Sequence, residues 1–232
     1  EMGGGTHKPW AACSSHAVAT SCSFTISTTL TSPGGLMMVT AEQRLEDTLG
    51  FLSGQLNWGW LFLKSAKALH HTNWAASTMW FRRAAYQACL NEAVLVLAKL
   101  VIPCEDSITF SYLLNQAENN PGLFEFAHGH QLEASVERHR QVLEEHELVP
   151  TIKTQRDKVL AHFDKKHIND PSVITSLPVN MTEVESCYEE LVDILNVYKG
   201  YHDDSQFHLG LVEQSVRDDV EYIATLIQQA ND

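Results

Sequence analysis

Arg156 and His162 are the two residues of this sequence best suited to chemistry on a phosphodiester. A guanidinium can hold two phosphate oxygens through paired hydrogen bonds. A histidine titrates near neutral pH and can move a proton on or off a ribose hydroxyl. Cations crowd the same stretch. From residue 153 to 167, Lys153, Arg156, Lys158, Lys165 and Lys166 stand against Asp157 and Asp164, a local excess of +3, while the chain as a whole carries −13 and the remainder therefore −16. Such a total argues against a generally basic surface that coats nucleic acid, and leaves room for a locally basic site.

Spacing limits how the pair can act. Six residues along an α-helix correspond to about 9 Å of rise and about 240° of rotation, so the two side chains do not share a face of a straight helix. They meet if the helix ends or distorts near Ala161–His162, or if a second subunit completes the site, which makes a symmetric dimer a functional requirement.

The elements that must position this segment read as helices throughout. Residues 1–36 are expected to be a disordered leader or a non-native extension: Gly3–Gly4–Gly5 and a Ser/Thr/Ala-rich run offer little apolar surface against the entropy of ordering, and Met37 or Met38 is a natural first residue. Thr40 and Gln43 predict a capping box for a first helix with the stripe Leu45, Leu49, Leu52, Leu56, Trp60, Leu63. Gly50, Gly54 and Gly59 weaken that helix or admit a close neighbour. Asn73 is expected to cap a central core helix running from Trp74 through Phe81, Ala85, Ala88, Leu95 and Leu100 to Pro103.

A shorter helix should start at Asp106 or Ser107 and stop at Asn119–Asn120–Pro121–Gly122, and a polar one should run from about His130 to Leu148 with a joint at Pro150. The Arg156 segment follows, buried through Ile152, Val159, Leu160 and Phe163 and broken at Asn169–Asp170–Pro171. Thr182 and Glu185 predict a second capping box before the stripe Val184, Tyr188, Leu191, Leu195, Tyr198, closed by Gly200. A last helix carries Val212, Val216, Val220, Ile223 and Ile227. With no strand alternation, the expected fold is all-α, a helical bundle spanning residues 37–232.

The run Arg156–Asp157, four further residues, then His162, on a late helix of such a domain, resembles the RxxxxxH signature of HEPN domains. The longer string RDKVLAHFDKKH, with the upstream helix MWFRRAAYQACLNEAVLVLAKL, is similar to the AbiU-type abortive-infection branch, over roughly residues 40–230. The resemblance implies a metal-independent, cofactor-free endoribonuclease acting as a cytoplasmic homodimer in a toxin–antitoxin or phage-defence setting. Arg156 would bind the scissile phosphate, His162 would be the acid/base and Asp157 would orient one of them. Lys158, Lys165 and Lys166 would contact the RNA substrate. The alternative is a non-catalytic HEPN-like module that binds a nucleotide or partners a nucleotidyltransferase-type antitoxin.

Other features carry less. His70–His71 and His128/His130 lack a Cys/His/Asp set at metal-ligand spacing. Arg82–Arg83 are expected on a solvent-facing surface, and Trp58, Trp60, Trp74, Trp80 and Phe81 in the core or an interface. Five scattered cysteines without CxxC spacing suit reduced thiols, and the longest apolar runs fall short of the roughly 20 residues a membrane span needs.

Overall fold

The computed structural model describes residues 39–74, 78–104, 107–156, 180–210 and 212–229. Among them lie seven α-helices and no strand: α1 (Ala41–His71), α2 (Met79–Val101), α3 (Phe110–Asn119), α4 (Gln131–Glu145), α5 (Leu148–Gln155), α6 (Met181–Asp203) and α7 (Val212–Gln229). A 3-10 turn, Pro121–Leu123, follows α3. The all-α expectation holds. The leader expected at residues 1–36 lies outside the described residues.

The 31-residue α1 begins as its sequence predicts: Thr40 Oγ1 accepts the Gln43 N–H at 3.1 Å. The box is only half formed, because the Gln43 amide reaches forward to Asp47 (3.2 Å). Every member of the stripe from Leu45 to Leu63 is buried, and α1 packs along α2, α6 and α7. Repetition at three- and four-residue intervals gives it one continuous apolar face.

The second helix departs from expectation. It starts at Met79, not Trp74, and Trp74 is buried in a satellite cluster with Leu69 and Ala224. Burial of that indole anchors the connection after α1 ends at His71, and the residue that precedes α2 is Thr78 rather than Asn73. Only the second half of α2 is core: Leu90, Ala93, Val94, Leu97 and Leu100 are buried, while Phe81 and Ala88 face solvent. With a mean hydropathy of 1.3 over its most apolar window, α2 is long and apolar enough to cross a membrane. Its apolar residues from Leu90 onward, apart from the half-buried Leu95, lie in the core of the bundle instead.

Three caps also shift. Thr109 starts α3, its Oγ1 accepting the Tyr112 N–H at 3.2 Å, and Phe110, Leu113, Leu114 and Ala117 turn inward. The joint between α4 and α5 falls at His146–Glu147, not at Pro150. Pro150 sits in the first turn of α5, where its missing N–H costs no helical bond. Asn180 caps α6 by accepting the Thr182 N–H (3.0 Å), and Glu185, the expected second half of a Thr182 box, is committed to two lysines of α1. Gly200 does not end α6, which runs to Asp203 and closes on Asp204 in the left-handed region (φ 55°).

The stripe Val184, Tyr188, Leu191, Leu195, Tyr198 is fully buried. A side chain at Gly59 would overlap the Tyr188 ring, so of the three glycines of α1 this one admits a close neighbour; Gly50 and Gly54 face open space. After α6, Asn196 holds the returning chain by bonding both the N–H (2.6 Å) and the C=O (3.0 Å) of Phe207. The last helix seats Ala224 against α1, with Val220 and Ile227 beside it, and leaves Ile223 exposed.

Candidate active-site segment

The arginine of the sequence motif sits at the end of a short, firmly seated helix. Ile152, fully buried, and Leu148 anchor α5 in the main core, where it packs against α2, α4 and α6. Thr154 Oγ1 donates back to Pro150 O at 2.8 Å. Upstream, His146 links α5 to its neighbours. Its Nδ1 accepts the Leu148 N–H (3.1 Å), so Nε2 carries the proton toward Glu190, 3.2 Å away. The Arg156 N–H reaches both Ile152 O and Lys153 O, and Arg156 keeps right-handed helical dihedrals (φ −55°, ψ −51°) as the C-terminal cap of α5. Arg156 itself is half-buried.

Asp157, Lys158, His162, Lys165 and Lys166 lie outside the described residues, as do Val159, Leu160, Phe163 and the break at Asn169–Asp170–Pro171. Of the predicted constellation, therefore, the structure places Arg156 alone, at the end of a helix anchored in the core.

Sequence reasoning passed over a polar group inside the bundle. His139 on α4 is buried, with Nδ1 3.2 Å from Tyr198 Oη and Nε2 2.9 Å from the Arg138 guanidinium. A guanidinium only donates, so Nε2 is the acceptor and Nδ1–H donates to Tyr198. Burial, and then the neighbouring Arg138 charge, lower the His139 pKa to about 4. Ser135 and Tyr201 extend the group at 3.1 Å. His139 is thus a neutral bridge between α4 and α6. Its place was legible: Leu132, Val136, His139 and Leu143 share one helical face.

A second polar group joins α1, α6 and α7. The Lys64 ammonium, 7% exposed, lies 2.7 Å from Glu185, 2.8 Å from Glu213 and 4.2 Å over the Trp60 ring. Lys67 reaches the other Glu185 oxygen at 2.6 Å. Burial alone would lower the Lys64 pKa, but its hydrogen bonds to Glu185 and Glu213 outweigh that and raise it. Burial likewise opposes ionisation of Glu185, and the two lysines overcome it and lower its pKa.

Among the described residues, no three His, Cys, Asp or Glu side chains gather to hold a metal ion. His70 and His71 stack edge to face at 5.1 Å, and His130 pairs with Glu133 at 3.1 Å.

The HEPN AbiU2 family model, described as AbiU2, matches residues 75–223, more than half of the chain. The chain belongs to the AbiU2 family of HEPN proteins. The match contains the entire Arg156–His162 stretch and six of the seven helices in whole or part. It leaves α1 outside, although the leucine stripe of α1 fills the same core as α2 and α6. The AbiU2 match is the comparison that carries family membership: neither a curated protein nor a solved structure matches.

Proposed function

We propose that this AbiU2 protein is a metal-independent endoribonuclease of an abortive-infection or toxin–antitoxin system, acting in the cytoplasm as a homodimer. The observation that carries the reading is the position of Arg156. It stands at the end of a core-anchored helix, within the family match.

In this reading the Arg156 guanidinium donates to the two non-bridging oxygens of the scissile phosphate and stabilises the charge that gathers there during reaction. His162 takes the proton from the ribose 2′-hydroxyl, whose oxygen forms a bond to phosphorus. The bond from phosphorus to the 5′-oxygen breaks, and that oxygen receives a proton as it leaves. The products are a 2′,3′-cyclic phosphate and a 5′-hydroxyl. DNA, lacking the 2′-hydroxyl, is spared. Asp157 orients the pair, and Lys158, Lys165 and Lys166 contact flanking phosphates. The six-residue spacing favours completion of the site by a second copy.

Incubation of the purified protein with RNA in EDTA is the test. Cyclic-phosphate ends that vanish in both Arg156→Ala and His162→Ala support the proposal. Undiminished cleavage by both variants would sink it. Binding to a nucleotidyltransferase-type partner without cleavage, indifferent to His162, selects the non-catalytic module.

A further inference from the structure

The start of α2 exposes what a buried helix would hide. Trp80 is 81% exposed, with Met79 and Phe81 also open to solvent, so of the core and interface positions expected for the two aromatics the structure leaves the surface one. The Phe81 ring leans on Trp74 at 6.3 Å. Trp80 lines a cavity of about 530 Å³ with His70, Met79, Arg82, Arg83 and Tyr86. Residues 79, 82, 83 and 86 recur at helical intervals and form one stripe, with Trp80 three residues from Arg83. From α1, the His70 ring lies over Tyr86 at 5.6 Å.

The charge of this cavity is unusual for the chain. Acidic residues outnumber lysine and arginine 29 to 16. The cleft beside Lys64 includes Glu213 and Glu221, the one between α3 and α4 includes four glutamates, and the one beside His139 includes Glu190 and Asp193. Among the described residues the Trp80 cavity has no carboxylate in its lining, and neither Arg82 nor Arg83 forms an ion pair. Two guanidiniums beside an open indole present cations and a flat π-face to the same space. That combination suits a ligand with negative charges and planar rings in alternation.

We propose that this cavity binds single-stranded RNA, with a base stacked on Trp80 and flanking phosphates held by Arg82 and Arg83. Stacking tolerates any base, so the site adds affinity without fixing a sequence. The choice of RNA over a DNA strand rests on the ribonuclease reading; the stacking and phosphate contacts do not. A protein partner could also use Trp, Arg and Tyr, but the cations without a lining acid favour a polyanion.

The probe is a short, fluorescein-labelled 2′-O-methyl oligoribonucleotide, which no 2′-hydroxyl attack can cut, titrated into the full chain by anisotropy. Trp80→Ala should weaken binding by about tenfold or more, with Trp80→Phe recovering much of the loss. Arg82→Gln and Arg83→Gln should each reduce the slope of log affinity against log salt by about 0.7. All four are changes at exposed or half-buried positions, and circular dichroism checks that the fold survives. The proposal is overturned if the wild type does not bind the probe, or if affinity is indifferent to these residues. It is equally overturned if Trp80→Ala abolishes self-association or binding to anionic vesicles while leaving RNA affinity intact. Cleavage of unmodified RNA with Trp80-independent affinity would remove this site and leave the ribonuclease reading standing. Trp80-dependent binding without cleavage would do the reverse.

Discussion

Tyr188 of α6 occupies the space into which a side chain at residue 59 of α1 would project, and its hydroxyl donates to Ala93 O of α2 at 2.7 Å. One fully buried ring thereby ties three helices together, with Trp60 edge-on to it at 6.2 Å. The absent side chain of Gly59 and the bulk of Tyr188 are one feature, drawn from positions far apart in the chain.

Gly59→Ala should therefore destabilise the protein by about 1–3 kcal/mol, because the fully buried ring must shift and overpacking exceeds the gain in helix propensity. Gly50→Ala and Gly54→Ala, facing open space on an exposed helix surface, should instead stabilise by about 0.5–1 kcal/mol. Since the Tyr188 hydroxyl is among the colliding atoms, Gly59→Ala with Tyr188→Phe should cost less than the two changes summed. Urea unfolding of the wild type and these five variants reads all three outcomes.

The Lys64–Glu185 pair makes a second prediction. Glu185→Ala leaves a buried ammonium with only Glu213, which is 53% exposed, and should cost about 3 kcal/mol. Glu213→Ala should cost under about 1 kcal/mol, since solvent screens that contact. Equal losses in thermal melts of the two variants would contradict this ordering.

His139 makes stability depend on pH. Its folded pKa, about 4, lies below the ordinary value of 6.5, so the unfolded chain binds the proton more readily. The contribution is fully present above pH 6.5 and is lost as pH falls toward 4, at up to about 1.4 kcal/mol per pH unit. His139→Gln should flatten that part of the stability profile, measured by urea midpoints across the range.

Mixing subunits tests whether the catalytic pair is shared. If Arg156 of one copy works with His162 of the other, co-refolding Arg156→Ala with His162→Ala restores one intact site in each mixed dimer, about a quarter of wild-type cleavage for random pairing. If each copy uses its own pair, the mixture stays inactive. The RNA cleavage rate of the mixture decides between them.

Helical periodicity made much of the fold legible. Leucines three and four residues apart in α1, and the mixed stripe of α6, require one buried face whatever lies opposite, and the structure buries every residue of both. The same rule reaches His139 on α4, since a residue between buried neighbours on a helical face must share their environment. Arg156 was legible as a motif residue, and its seat at the end of α5 follows from Ile152 being an inward-facing position.

Local chemistry was a weaker guide where distant groups compete for the same atoms. Glu185 has the spacing of a capping box, but two lysines 118 and 121 residues away in sequence claim its carboxylate, and Asn180 caps the helix instead. Gly200 suits a helix end, yet packing carries α6 on to Asp203. Trp80 and Phe81 read as core or interface residues because hydropathy counts what a side chain is, and their exposure follows from where α2 begins. The sequence by itself determined an all-α chain, its buried faces and its membership of a HEPN family. Only the tertiary structure decided which glycine meets a ring, which carboxylate meets a lysine and which tryptophan meets solvent, because those outcomes depend on contacts between residues that the chain brings together only when it folds.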